Sequence, residues 1–359
     1  MCRKVLPALA ICAVVLLALP AFADIDLGGS ARSSAMGGAG LAVLDDPLAT
    51  AMINPAAMAL VSKRFSLQFP SFDLRARGVS ISDLLDSMGN VSGSDTEGAI
   101  ALAREFGGQE TQLGIDLNAG VSLGTSAIAI GGQAIARINP GDAFRAWAND
   151  GTVPTNPDTG LPDPGMATAV VSGDAVNYLP SVSMGWKVPR SKSTMYMGVR
   201  GRLVQSTHYE QSLKLGDEGG GSIGIVEDGA EIKSEGNGFG MDIGMIMRAD
   251  GPRQTTYGLV VTNFLHPNLT GIEQSPMVSL GFATKPSKKV MVAADLVNIF
   301  RGYGESPMLR MGVEIQATKR FALRAGLSGN SFTYGFGLFG LNLAFSSEIP
   351  MTIANTLRF

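Results

Sequence analysis

The chain has 359 residues, 45% of them hydrophobic and 16% charged, with a formal net charge of -3. That balance offers no basic patch and argues against a nucleic-acid partner. The 46 glycines in so apolar a chain suit a barrel with one greasy wall and many tight turns better than a soluble globule.

Residues 1–23 read as a secretory signal peptide. Arg3 and Lys4 form the charged start, Val5 to Leu19 the apolar core, and Ala21-Phe22-Ala23 the small-residue cleavage site. The apolar core is shorter than the roughly 20 residues a membrane helix needs. Cys2 and Cys12 both lie here, so the rest of the chain has no thiol for a disulfide, a metal or a nucleophile. Ile11 before Cys12 makes that cysteine a poor lipid-attachment site. No later segment is apolar for long enough to span as a helix.

Residues 24–63 lack any period of two. Gly37, Gly38 and Gly40 permit close backbone approach, Pro47 follows Asp45 and Asp46, and Asn54-Pro55-Ala56 opens a turn before a short Ala-rich stretch. Small residues dominate, which suits packing inside another structure. A phosphate-binding loop is excluded, because no strand precedes the glycines and no Lys with Ser or Thr follows at the needed spacing. Gly37-Gly38-Ala39-Gly40, Asp45-Asp46-Pro47 and Asn54-Pro55-Ala56, in this order behind a signal peptide, resemble the amino-terminal hatch of the FadL/TodX family of outer-membrane transporters for hydrophobic compounds. They resemble equally the PorV-like and TraF-like barrels. The resemblance implies that this segment plugs a lumen, with Asp45, Asp46 and Asn54 capping turns inside it.

From residue 64 onward the polarity alternates. Leu113, Ile115, Leu117, Ala119, Val121 and Leu123 share one face and Gly114, Asp116, Asn118, Gly120 and Ser122 the other. The same holds for Phe239, Met241, Ile243, Met245 and Met247 against Gly240, Asp242, Gly244 and Arg248. Strands are predicted at 64–75, 113–123, 126–138, 174–187, 193–208, 239–249, 254–265, 276–285, 289–300, 308–317, 320–328, 331–338, 341–347 and 350–359. Whether 331–347 is one strand or two turns on a break at Phe339-Gly340. The expected fold is thus an all-β transmembrane antiparallel barrel of about 14 strands over 64–359, even in number because an open edge is not tolerated in lipid. Its connections alternate short and long, which places the short ones in the periplasm and the long ones outside.

Among the long connections, Leu84, Leu85, Met88 and Phe106 recur at helical spacing, and Phe144 and Trp147 precede a proline-rich stretch. They are candidates for ligand capture at the mouth, and equally for packing on one another to order the loops. Residues 209–238 read as a solvated loop. The inward charges Asp116, Arg137, Lys187, Arg200, Arg202, Asp242, Arg248, Asp295, Arg310, Glu314 and Arg324 are expected to pair and brace plug and wall. No enzyme is expected: His208 and His266 are the two histidines, and Ser206 shares a strand face with His208, the wrong arrangement for a nucleophile relay. No metal or cofactor site is expected either.

The last predicted strand, Met351 to Phe359, alternates and closes on an aromatic residue, and so resembles the terminal signal strand of bacterial outer-membrane barrels. That resemblance implies Phe359 as an assembly signal, the barrel-assembly machinery and outer-membrane lipid as partners, and the bacterial outer membrane as location. The family resemblance implies passive uptake of hydrophobic, fatty-acid-like small molecules. The alternative is a barrel that does not transport but anchors or shuttles a secreted-protein or conjugation partner.

Overall fold

The computed structural model describes residues 30–44, 50–61, 65–77, 108, 110–189, 193–217, 223–227, 232–251, 253–265, 275–301, 306–346 and 351–358. Its strands are β1 (Ser66–Arg77), β2 (Thr111–Leu123), β3 (Ser126–Pro140), β4 (Thr168–Pro189), β5 (Ser193–Asp217), β6 (Ile223–Glu227), β7 (Ile232–Ala249), β8 (Thr256–Leu265), β9 (Met277–Ser287), β10 (Val290–Val297), β11 (Met308–Gln316), β12 (Phe321–Ser328), β13 (Ser331–Leu338), β14 (Leu341–Ser346) and β15 (Met351–Arg358). All pairings are antiparallel. Strand follows strand round the sheet, β4 pairs β5, and β15 pairs β1 from Ser66↔Arg358 to Leu74↔Met351. Strand β6 pairs only the far end of β5, from Leu213↔Glu227 to Asp217↔Ile223, beyond the last residues of β5 that pair with β7. Among themselves the remaining fourteen strands each have two partners, so the pairing circuit returns to its start.

The two faces are those the alternation predicts. Ile115, Leu117, Ile128, Ile130, Val182, Met184 and Leu323 are exposed, while Asp116, Ser122, Arg200, Arg202, Asp242, Asp295 and Glu314 are buried. Polar side chains inside and apolar ones outside invert the order of a soluble protein and match a lipid-facing wall. Residues 331–346 form two strands, β13 and β14, paired from Thr333↔Ser346 to Leu338↔Leu341, with Phe339 and Gly340 at φ +52° and +94° in the turn.

Two expectations are corrected. Residues 209–217 and 232–238 are not irregular loop but the far ends of β5 and β7, paired from Tyr209↔Lys233 to Val204↔Gly238. Strand β5 has 25 residues and β4 has 22. A strand of that length reaches roughly 80 Å at ~3.3 Å per residue, well past a hydrocarbon core of ~30 Å even when tilted. Beyond the lipid neither face must be apolar, so the backbone ladder continues where the sequence period stops. The second correction concerns glycine. Many of the 46 lie inside strands rather than in turns, and the reason lies in the lumen. The helical stretches predicted around Leu84, Leu85, Met88 and Phe106 fall outside the described residues.

Between β3 and β4, helix α2 (Asp142–Asp150), the second α-helix among the described residues after the lumenal one below, ends on Gly151 at φ +78°. Phe144 and Trp147 meet edge to face at 5.4 Å and are buried with Ala167, Ala169 and Leu215. This connection therefore carries a small apolar core of its own.

Candidate functional site: a lumenal segment seated on glycines

Residues 30–44 and 50–61 lie against the polar face of the wall. Helix α1 (Ala31–Ser34) is capped by Ser30, whose hydroxyl accepts from the Ser33 amide at 3.2 Å. Arg32 on this helix donates from Nε and Nη2 to Glu314 of β11 at 2.8 and 2.7 Å, and Arg324 of β12 donates to the same carboxylate at 2.6 Å. Such a two-pronged, doubly shared pair is directional as well as strong. The chain then turns through Gly37 and Gly38, at φ +70° and +79°, a conformation glycine adopts without strain. The Gly37 amide donates to Thr333 Oγ1 of β13 at 2.8 Å.

Further along, Asp295 of β10 accepts from the Gly40 and Leu41 amides at 2.6 and 2.9 Å through one oxygen. Thr256 of β8 donates to the Ala42 carbonyl at 2.7 Å. In the second piece Asn54 does three things. Its Oδ1 accepts from the Ala56 amide at 3.1 Å, which caps the 3-10 turn Pro55–Leu60, and its Nδ2 reaches the Leu41 and Met245 carbonyls at 2.9 and 3.3 Å. One side chain thus ties both pieces to each other and to β7. Arg200 of β5 donates to the Met52 carbonyl while pairing with Asp242 of β7 at 2.7 Å. Arg202 donates to the other oxygen of Asp242 at 2.8 Å and also reaches Asn263.

The wall facing this segment is bare. A methyl added at Gly312 would stand 2.3 Å from Met36 Cβ, at Gly326 2.2 Å from the Met36 carbonyl carbon, and at Gly258 2.7 Å from the Leu41 oxygen. On the other flank, one at Gly185 would stand 2.3 Å from the Ala59 nitrogen, at Gly198 2.3 Å from the Pro55 oxygen, and at Gly244 2.1 Å from Asn54 Oδ1. These glycines stand opposite one another across strands: Gly185↔Gly198, Gly198↔Gly244, Gly258↔Gly281 and Gly312↔Gly326. Together they form an inner belt from β4 to β12 on which the hatch lies directly on wall backbone. Ala51, Ala56, Ala57 and Met58 add an apolar patch against Tyr196 and Ile246.

Of the residues singled out in the sequence, Gly37, Gly38, Gly40, Asn54, Pro55 and Ala56 lie in this seat. Gly38 faces Arg310 and Gly40 faces Ile53. Asp45, Asp46, Leu84, Leu85, Met88, Phe106 and Phe359 lie outside the described residues. Phe144 and Trp147 are packed in the small core over α2, away from the belt. His208 Nδ1 stands 2.7 Å from Asp174 Oδ1, and Asp174 also pairs with Arg137. The buried Ser206 hydroxyl has no hydrogen-bond partner. Sequence reasoning missed the belt, Thr256, Thr333 and Asn263. The belt had a signal, since its glycines fall on the inward positions of alternating strands.

No known protein family matches the chain by sequence pattern, and no curated protein matches it. Solved structures do. A TodX deltaS2S3 mutant monoaromatic hydrocarbon channel aligns at 12% identity and a TM-score of 0.49, covering 92% of this chain and 99% of that one. The CymD monoaromatic hydrocarbon channel aligns at 12% identity and 0.48, over 94% and 99%. The Pseudomonas putida toluene transporter TodX aligns at 14% identity and 0.46, over 92% and 96%. The chain is similar to all three along nearly its whole length. The barrel itself rests on its own strand pairings.

Proposed function

We propose that the protein is an outer-membrane channel for passive uptake of hydrophobic small molecules, with residues 24–63 as its hatch. The observation that carries this reading is the seat of residues 30–44 and 50–61 against the inner face of the ring of strands. One chain supplies both wall and stopper, joined by hydrogen bonds and ion pairs that can break and re-form. A stopper so held belongs to a conduit that opens when the stopper shifts. The hydrophobic class of cargo, fatty-acid-like, rests on the resemblance of the Gly37 to Ala56 motifs to the transporter family. In this reading residues 1–23 direct export, Phe359 serves assembly, short turns face the periplasm and long connections face outward. Ligand is captured at the mouth, where Leu84, Leu85, Met88, Phe106, Phe144 and Trp147 are the candidates. No catalytic step is assigned.

The projecting β4 and β5 strands favour a second role. A ribbon reaching past the bilayer, with its own core over α2, is a surface on which a secreted partner protein can dock. Uptake of a fluorescent fatty acid and of toluene into proteoliposomes separates the two. Transport predicts flux that rises when Glu314→Ala frees the hatch. If neither form carries a hydrophobic solute, the docking role stands and transport falls.

A further inference from the structure

Three short turns of the barrel carry mainly one sign of charge. Arg253 is exposed in the β7–β8 turn, Lys288 and Lys289 in the β9–β10 turn, and Lys319 and Arg320 in the β11–β12 turn. Among the described residues of these three turns the one carboxylate is Asp250. The β3–β4 connection at the other end of the barrel has the opposite balance, with Asp142, Asp150 and Asp158 exposed against Arg145. The β9–β10 and β11–β12 turns are joined through Gln316. Its amide donates to the Lys289 carbonyl at 2.7 Å, and its side chain donates to the Thr318 carbonyl at 2.7 Å. Thr318 Oγ1 in turn accepts from the Arg320 amide at 3.2 Å. The β13–β14 turn closes on them, because the Phe339 amide donates to the Arg320 carbonyl at 3.0 Å. The backbone that carries four cations is thereby fixed across neighbouring turns.

What lies beside these cations identifies the partner. The Arg320 guanidinium stands over the Phe339 ring, 5.3 Å from its centre. Phe339 is 70% exposed between Leu338 and Leu341, which are exposed as well, and Leu338 continues the outward row of Phe332 and Tyr334 along β13. The cations therefore border the lipid-facing wall, with an aromatic ring at the boundary where such rings collect in membrane proteins. A soluble acidic protein would meet the charges and leave the ring and the leucines uncovered. A phospholipid covers both, its phosphate against the cations and its glycerol and upper chain against the apolar rim.

We propose that Lys288, Lys289, Lys319 and Arg320, with Phe339 beside them, form a binding surface for the phosphate headgroups of anionic phospholipids in the leaflet that meets the short turns. Lysines and arginines at a membrane surface attract such lipids within about a Debye length, ~8–10 Å. The planar fork of Arg320 suits phosphate, and its stacking on Phe339 holds it at headgroup level. The surface depends on the wall facing lipid and not on what the lumen carries.

The test is the lipid selectivity of the full-length protein in phosphatidylcholine bilayers that hold a trace of spin-labelled phosphatidylglycerol or spin-labelled phosphatidylcholine. Electron spin resonance reads the fraction of label immobilised at the barrel. Wild type is expected to favour the phosphatidylglycerol label several-fold, and molar KCl to remove most of that preference. Joint replacement of Lys288→Gln, Lys289→Gln, Lys319→Gln and Arg320→Gln is expected to abolish it, with heat-modifiable mobility on gels confirming the folded barrel. Replacing the three lysines by arginine keeps the charge and should keep the preference, and so should Arg145→Gln at the opposite end. A wild type without preference, or a preference that survives the joint replacement, overturns the proposal. A wild type that shows no lipid preference yet retains soluble polyglutamate through the same four residues assigns the surface to an acidic protein, which overturns it too.

Discussion

The wall of β11 and β12 and the wall of β2 and β3 are built from the same alternating pattern, and they differ in what the inward positions hold. On β11 and β12 these are Gly312 and Gly326, flanked by Arg310, Glu314 and Arg324. On β2 and β3 they are Asp116, Asn118 and Gln133. Glycine lets the hatch backbone rest on the wall backbone, so polar groups there are met by the hatch itself, as Glu314 is by Arg32. A side chain of any size occupies that gap itself, so the hatch backbone cannot come as close. The size of the inward residue, more than its polarity, therefore decides where the hatch backbone can rest on the wall.

The hardest way to break this difference is Glu314→Ala. It leaves Arg32 and Arg324 buried without their carboxylate, and breaking a buried pair from one side costs about 3–5 kcal/mol. The barrel should persist while the hatch loosens, seen as faster proteolysis within residues 30–44 and a rise in permeability. Next comes Gly326→Ala, whose methyl would meet backbone that cannot give way; overpacking of this kind costs about 1–3 kcal/mol, and the same two measurements should move less. Asn54→Ala removes a cap and the tie between both hatch pieces, worth about 0.5–2 kcal/mol, and should release residues 50–61 more than residues 30–44 in hydrogen exchange. The smallest effect is expected at Gly120→Ala on the β2 wall, where the methyl comes no nearer than 3.2 Å to Ala129 Cβ and 3.4 Å to the Ile128 oxygen. There the strain is offset by ~0.4–1 kcal/mol from a stiffer unfolded chain, and stability and permeability should stay near wild type. Equal effects at Gly120 and Gly326 would erase the distinction between the two walls.

Much of the barrel is legible in the sequence because lipid imposes a strict period of two. The hairpin β2–β3, its faces and its turn at Gly124 follow from Leu113 to Leu123 alone. The same rule falls silent once β4 and β5 leave the bilayer, where Tyr209 to Asp217 pair by backbone with no apolar face to mark them. Helix α2 was hidden for a related reason: its short sequence holds two large apolar side chains, Phe144 and Trp147, and their partner Leu215 lies far along the chain on β5. In the lumen, Glu314 and Arg324 read correctly as inward charges, yet nothing in spacing joins them to Arg32, 282 residues before Glu314. Gly312 and Gly326 were visible as inward residues, but glycine in a sequence first suggests a turn, and its meaning here depends on what lies across the gap.

The seam between β1 and β15 has a consequence for how the molecule is made. Every other junction of the ring joins strands that are neighbours in the chain or nearly so, and such hairpins can form as soon as their residues meet. Ser66 and Arg358 must instead find each other across almost the entire polymer, the kind of contact that sets a slow folding rate. The Arg32 to Glu314 pair spans a similar distance, so stopper and seam are both late events. Any hindrance to docking at Gly312 or Gly326 is therefore met by a chain whose hairpins are already paired but whose cylinder is not yet sealed, and its cost is counted in time to assemble as well as in stability.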